Sequence, residues 1–177
     1  MESVNTRILS GLPAYGPRAE SFPASGYGAH REGVVVEFVD DNGNAWVGNF
    51  QPGPGSYSAV FATFGEDRPV VIAGGGGYVV DVSSRKVIAE FGGTIDWCLE
   101  VRERARLIFA DGIGFEARDR NGVVWRSGRV SWDGMRDLTH CDGKVYGYAY
   151  SPLDDDYKSF HLDLSTGRFS GGSYNGP

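Results

Sequence analysis

The sequence predicts an all-β fold built from repeated antiparallel hairpin units, and three observations support this prediction. Short runs rich in Val, Ile, Tyr and Phe alternate with turn residues along most of the chain. Glycine makes up 27 of the 177 residues and falls mainly between those runs, as tight turns require. Apolar residues do not recur at the helical spacing of three and four over any long stretch. We therefore expect many short strands and little helix.

Four hairpins define a repeat. The clearest one joins residues 34–39 to residues 44–50 across the turn Asp40-Asp41-Asn42-Gly43, which is a strong hairpin signal. The other three join 78–82 to 86–91, 115–119 to 123–126, and 160–164 to 168–170. The hairpins begin 44, 37 and 45 residues apart, at Val34, Tyr78, Phe115 and Phe160. Periods near 40 to 45 residues with four strands each are typical of β-propeller blades.

The stretches between the hairpins supply the remaining strands. Residues 70–73, 106–110 and 145–150 are inner strands at equivalent positions, and weaker strands precede them at 57–63, 96–101 and 135–141. The repeat predicts a small or incomplete β-propeller-like arrangement, with a two-sheet β-sandwich as the alternative. We expect one domain over 1–177. This domain consists of an irregular N-terminal arm, residues 1–33, followed by the hairpin repeats of residues 34–177. The arm is expected to be irregular because Pro13, Pro17 and Pro23 disfavour full strands there.

Three of the hairpin turns resemble those of a known propeller family, and the one at residues 80–87 is a weaker copy that lacks both the Gly and the Trp. Residues 162–169 read L-D-L-S-T-G-R-F and residues 117–125 read A-R-D-R-N-G-V-V-W. Both are similar to the blade motif of quinoprotein (PQQ-type) propellers, roughly L-D-x-x-T-G-K-x-x-W. The resemblance implies that the Asp bonds turn N–H groups, the Gly takes a positive φ and a bulky residue docks between blades. It is confined to the hairpins and carries no quinone site, so no cofactor is expected.

Segments 11–16 and 46–53 are similar to those of small bacterial proteins, which implies a bacterial source. The formal net charge of −6 disfavours nucleic-acid binding, because that binding depends on Lys and Arg neutralising phosphates. It suits a basic protein partner, although it also simply keeps a protein soluble. No apolar run reaches membrane-spanning length, and the first residues do not read as a signal peptide. We expect a cytoplasmic protein without a membrane partner, with Cys98 and Cys141 as free thiols.

Several motifs that suggest chemistry have simpler explanations. Residues 40–44 resemble a calcium loop, but the glycine comes early and no glutamate stands at the twelfth position, so a turn is favoured. Residues 74–77 are four glycines that precede a strand rather than the helix of a phosphate-binding loop. His140 and Cys141 are neighbours on a predicted strand, so their side chains point to opposite faces. We therefore predict no catalytic residue and no metal site.

A partner-binding surface is predicted at Trp132 and at the run Asp154-Asp155-Asp156-Tyr157. Trp132 precedes Asp133-Gly134 and is expected near a turn, whereas Trp46 and Trp125 are expected to pack between sheets. The acidic run links two predicted strands and should be an exposed loop. It is either a solvated loop or a recognition loop for a cationic surface, with Tyr157 as its apolar anchor.

The sequence favours a non-catalytic binding protein. A specific form of this hypothesis is an immunity-type inhibitor of a basic bacterial toxin, since acidic inhibitors of basic proteins associate rapidly through complementary charge. The alternative is an enzyme of the hydrolase type, with a site built from His30 and carboxylates on rim loops.

Overall fold

A computed structural model of the chain describes residues 5–24 and 31–176. Over these ranges the chain forms sixteen β-strands in four sheets of four strands, together with one short 3₁₀-helix at Arg102–Arg104. The prediction of an all-β fold made of repeated hairpin units is confirmed. Within the same ranges, no helix combines the length and the apolar character needed to cross a membrane.

Sheets 1 and 2 occupy the first half of the chain. The spatial order of sheet 1 is β1 (Thr6–Ile8), β3 (Val34–Val39), β4 (Ala45–Phe50) and β2 (Glu20–Phe22). Sheet 2 follows the order of the chain, with β5 (Ala59–Phe61), β6 (Val70–Ala73), β7 (Gly76–Asp81) and β8 (Lys86–Gly92). All neighbouring pairs are antiparallel except β2 and β4, which run parallel.

Sheets 3 and 4 are antiparallel and also follow the order of the chain. Sheet 3 contains β9 (Trp97–Val101), β10 (Arg106–Ala110), β11 (Phe115–Asp119) and β12 (Gly122–Arg126). Sheet 4 contains β13 (Met135–Cys141), β14 (Lys144–Ser151), β15 (Asp156–Asp163) and β16 (Phe169–Gly171). These twelve strands of sheets 2, 3 and 4 match the predicted units to within a few residues.

The prediction for residues 1–33 needs a correction. This segment was expected to be an irregular arm, yet it supplies β1 and β2, the two outer strands of sheet 1. The hairpin of β3 and β4 offers one edge on each side for a further strand. Strand β1 pairs with the edge of β3, and strand β2 pairs with the edge of β4. Each added strand is only three residues long and contains no proline, so its N–H groups can join the ladder.

The contacts divide the chain into two compact units, Met1–Ile95 and Asp96–Pro177. Unit 1 contains sheets 1 and 2, and its core joins Phe38 and Phe50 of sheet 1 to Val71 and Val80 of sheet 2. Unit 2 contains sheets 3 and 4, and its core is formed by buried side chains of both sheets, among them Ile108, Phe115, Val145, Phe160 and Leu162. Strand β14 illustrates how a strand contributes to this core. Its residues alternate between buried and more exposed positions, because successive side chains of a strand point to opposite faces.

Candidate functional site

The turn aspartates of the four hairpins have structural roles. Asp40, Asp81, Asp119 and Asp163 each accept a hydrogen bond from a backbone N–H two or three residues further on, at 2.9, 2.8, 2.7 and 2.9 Å. Hydrogen bonds from Ser165 and Thr166 lower the pKa of Asp163 to about 2. The segment 40–44 is therefore a hairpin turn, as the sequence indicated, and its carboxylate is used to hold the backbone.

The first two of the four glycines at 74–77 form the turn between β6 and β7, and the other two begin β7. Gly74 and Gly75 have φ values of +50° and +84°, which suit a tight turn between antiparallel strands. A Cβ atom at Gly75 would lie 2.9 Å from the carbonyl oxygen of Gly93, so the backbone approaches another segment closely there. The chain continues directly into the strand β7, as the sequence indicated, and not into the helix of a phosphate-binding loop.

The structure brings the predicted partner-binding residues together at one end of sheet 4. Asp154 and Asp155 lie in the turn between β14 and β15, and Asp156 and Tyr157 begin β15. Trp132 lies in the segment before β13 and is half-buried. All three aspartates are exposed. The predicted loop is shorter than expected, because Asp156 and Tyr157 already pair with the end of β14.

Trp132 and the acidic turn are both linked to Tyr150, Trp132 to its backbone carbonyl through Ser173 and the acidic turn to its side-chain hydroxyl. The backbone N–H of Trp132 donates to Ser173 Oγ at 3.2 Å, and Ser173 Oγ donates to the carbonyl oxygen of Tyr150. The hydroxyl of Tyr150 donates in turn to Asp155 Oδ1 at 2.7 Å. We call the resulting patch the acidic–aromatic surface, and it consists of Trp132, Asp133, Tyr150, Asp154, Asp155, Asp156 and Tyr157.

The carboxylates of this surface are partnered. Lys158 Nζ lies 2.5 Å from Asp154 Oδ2 and 2.9 Å from Asp156 Oδ2. These hydrogen bonds lower the pKa of both aspartates and raise that of Lys158. The hydrogen bond to Asp155 raises the pKa of Tyr150. The acidic turn is therefore a small ion-pair network, in which one lysine balances part of the negative charge.

Arginine side chains cover several of the aromatic rings. The guanidinium carbon of Arg136 lies 3.7 Å from the ring centroid of Tyr157. That of Arg129 lies 4.7 Å from Tyr174 and 5.4 Å from Trp132. The rings of Trp132 and Tyr174 meet edge to face, with centroids 4.6 Å apart. Trp132 is consequently held in place from two sides.

Leu153 is a residue of this region that the sequence analysis missed. It stands in the turn directly before the acidic run and is 76% exposed. Pro152 before it and three aspartates after it mark the position as a turn, and an apolar residue in such a turn was the available signal. Its side chain gives the acidic–aromatic surface an apolar neighbour.

Among the described residues, those considered for catalysis do not converge. The side chains of His140 and Cys141 lie on opposite faces of β13, because the two residues are neighbours on that strand and pair with Val145 and Lys144. A hydrogen bond with Asp142, aided by its charge, raises the pKa of Cys141, which disfavours the thiolate. His161 packs beside Tyr146, with ring centroids 6.0 Å apart, and His30 lies outside the described residues. Across 5–24 and 31–176, no group of three His, Cys, Asp or Glu is placed to hold a metal ion.

The prediction of free thiols is confirmed for both cysteines. Cys98 is half-buried on β9, and desolvation raises its pKa far above the ordinary value. Cys141 is the last residue of β13, and its side chain is exposed.

No protein-family model matches this chain, and no curated protein matches it.

Proposed function

We propose that this protein is a non-catalytic binding protein whose acidic–aromatic surface binds a basic protein. Its specific form would be an immunity-type inhibitor that neutralises a basic bacterial toxin in the cytoplasm. One observation carries the proposal: Trp132 and the run 154–157, far apart in sequence, share one hydrogen-bonded surface.

The residue types of this surface support a binding role. Trp, Tyr and Arg are the residues most enriched among those that dominate protein interfaces. Here Arg136 stacks on Tyr157, and Arg129 stacks on Trp132 and Tyr174, so the rings are already ordered before a partner arrives. Ordered side chains lose less conformational entropy on binding, and more of the contact energy therefore appears as affinity.

The charges of the surface support a basic partner. Its four carboxylates, at Asp133 and at 154–156, outnumber the three adjacent cations, Lys158, Arg136 and Arg129. The whole chain carries a formal charge of −6, which attracts a cationic protein from a distance at low salt. Rim charges of this kind act mainly on the rate of association.

The test begins with capture of a partner from a lysate of the native host, followed by mass spectrometry. Association rates of that partner are then measured from low to physiological salt for the wild type and for the triple variant Asp154→Asn, Asp155→Asn, Asp156→Asn. We expect slower association and a flatter salt dependence for the variant, with a smaller change in dissociation.

A second variant should change the association rate in the opposite direction. Lys158→Gln removes the cation that balances Asp154 and Asp156, so it should accelerate association with a basic partner at low salt. Asp41→Asn removes an exposed carboxylate from unit 1 and serves as the control for net charge. Superimposable salt curves for the wild type, the triple variant and Lys158→Gln would show that this surface is not the binding site.

A further inference from the structure

Unit 1 contains a cleft of about 390 Å³ that the proposed function does not use. It lies at one end of strands β7 and β8, where Gly76 pairs with Gly92 and Tyr78 pairs with Glu90. Alternate residues of a strand share a face, so these four residues share one face of sheet 2. Two of them have no side chain, which leaves open space beside the ring of Tyr78 and the carboxylate of Glu90.

The absence of a side chain at Gly76 is not forced by the fold. Its φ is not in the left-handed region, and a Cβ atom there would come no closer than 3.4 Å to a neighbouring atom. Gly92 is different, because its φ is +67° and a Cβ atom would lie 2.5 Å from Ile95. Packing therefore explains Gly92, whereas Gly76 keeps the cleft open without a structural need.

We propose that this cleft binds an organic cation, a guanidinium or primary ammonium group on a short carbon stem. Among the described residues that line it, Glu90 carries the only formal charge at neutral pH. Glu90 is exposed and makes no ion pair within 5–24 and 31–176. A cleft with one unbalanced carboxylate favours a cation and disfavours phosphate.

The other lining groups fit the same ligand. The hydroxyl of Tyr78 donates to the carbonyl oxygen of Gln51 at 2.7 Å, so its own oxygen remains able to accept a hydrogen bond from the ligand. Burial, followed by the charge of Glu90, raises the pKa of Tyr78, which keeps this hydroxyl protonated. The ring of Tyr78 supplies apolar surface for a carbon stem and an aromatic face for a cation.

The cation has two possible sources, a free small molecule or an arginine or lysine side chain of another protein. Both present the same chemistry to Glu90. The cleft lies in unit 1 and the acidic–aromatic surface lies in unit 2. An experiment can therefore contradict the proposal for one of these sites without contradicting the proposal for the other.

The test is a titration of the whole protein with agmatine, followed by two-dimensional NMR, with butylurea as the uncharged probe. A blocked Gly-Arg-Gly peptide distinguishes the sources, because a side chain presented by a peptide backbone needs a wider opening than free agmatine. We expect saturable binding of agmatine in the millimolar range, shifts at Tyr78 and Phe91, and no binding of butylurea. Binding of the peptide as well would favour a protein side chain as the natural ligand, and its exclusion would favour a free amine.

Three variants complete the experiment. Glu90→Gln should weaken agmatine binding about tenfold, because one charge-assisted contact is lost. Gly76→Val should abolish it by filling the cleft, with the melting temperature as the check on folding. Asp41→Asn, which changes net charge equally elsewhere in unit 1, should bind as the wild type does. Equal binding by Glu90→Gln and the wild type, or no saturable binding of either cation, would overturn the proposal.

Discussion

The indole Nε1 of Trp125 donates a hydrogen bond to the backbone carbonyl oxygen of Leu164, at 3.2 Å. Trp125 lies on β12, the last strand of sheet 3, and Leu164 directly follows the turn aspartate Asp163 of sheet 4. The bond therefore joins one sheet of unit 2 to a hairpin turn of the other. It combines two features of the hairpin motif, the bulky residue of one repeat and the aspartate-held turn of the next.

Unit 1 contains the same relationship. Nε1 of Trp46 on β4 donates to the carbonyl oxygen of Val82 at 3.1 Å, and Val82 directly follows the turn aspartate Asp81. In each unit the tryptophan of the first sheet thus binds the residue after the turn aspartate of the second. A buried carbonyl that loses its donor has no solvent to replace it, so both bonds should contribute to stability.

Replacing Trp125 with Phe should lower the free energy of unfolding by about 1–2 kcal/mol more than a matched Trp→Phe change without this bond. Trp97→Phe is the control, because Trp97 packs edge to face on Phe115 and its Nε1 makes no hydrogen bond within the described ranges. Urea unfolding of both variants gives the comparison. Equal losses in the two variants would mean that the bond to Leu164 adds nothing beyond ring packing.

Gly167 should be far less tolerant of alanine than Gly143, although both have a φ of +71°. A Cβ atom at Gly167 would lie 2.5 Å from Cε3 of Trp125, whereas nothing lies within 4 Å of a Cβ atom at Gly143. Both variants lose about 1–2 kcal/mol to left-handed backbone strain, and Gly167→Ala should lose a further 1–3 kcal/mol, roughly, to overpacking. Similar unfolding midpoints for the two variants would contradict the close packing of Trp125 on this turn.

The turn at Asp163 should weaken in acid. Its pKa in the folded protein is about 2, below the ordinary value of 3.8, because Ser165 and Thr166 donate to the ionised carboxylate. A depressed folded pKa means that the stabilisation is fully present above pH 3.8 and is lost as the pH falls through about 2. Asp163→Asn should therefore be less stable than the wild type near neutral pH, and the difference should shrink in acid. A difference that stays constant with pH would show that the charge of Asp163 does not hold the turn.

The two cysteines should differ in reactivity. Cys141 is exposed and should be alkylated by iodoacetamide in the native protein, whereas Cys98 should react only after unfolding. Because a hydrogen bond with Asp142 raises the pKa of Cys141, the variant Asp142→Asn should speed that alkylation at mildly alkaline pH. Mass spectrometry of the two cysteine-containing peptides measures both rates. Asp133→Asn, an exposed acidic residue outside this contact, should leave the rate of Cys141 unchanged.

The strands of sheets 2, 3 and 4 could be predicted because their signals are local. The inner strand Val70–Ala73 is a continuous apolar run, and the hairpins meet at turns in which an aspartate accepts backbone hydrogen bonds two or three residues away. Strands β1 and β2 gave no such signal. A strand of three residues such as Glu20–Phe22 is too short to show the alternation of apolar and polar residues that marks a strand. The edge of β4 with which it pairs also lies in another part of the sequence.

The candidate sites divide in the same way. Sequence located the acidic run and Trp132, because composition and turn signals are visible in one dimension. It could not show that Arg136 stacks on Tyr157, since that contact depends on how side chains of different strands meet. The ion pairs of Lys158 with Asp154 and Asp156 are local, and they depend on the side-chain conformations at the start of β15. The sequence also could not show the cleft beside Glu90, which exists only because β7 and β8 pair in one register.

The sequence by itself determined the strands of sheets 2, 3 and 4, the hairpin of β3 and β4, and the hairpin turns, because these follow from local residue patterns and from bonds between near neighbours. The tertiary structure alone decided which edges β1 and β2 extend, where the indoles of Trp46 and Trp125 find their acceptors, and that Arg136 covers the ring of Tyr157. Each of these joins groups distant along the chain, and only the packing of strands and sheets brings such groups within bonding distance.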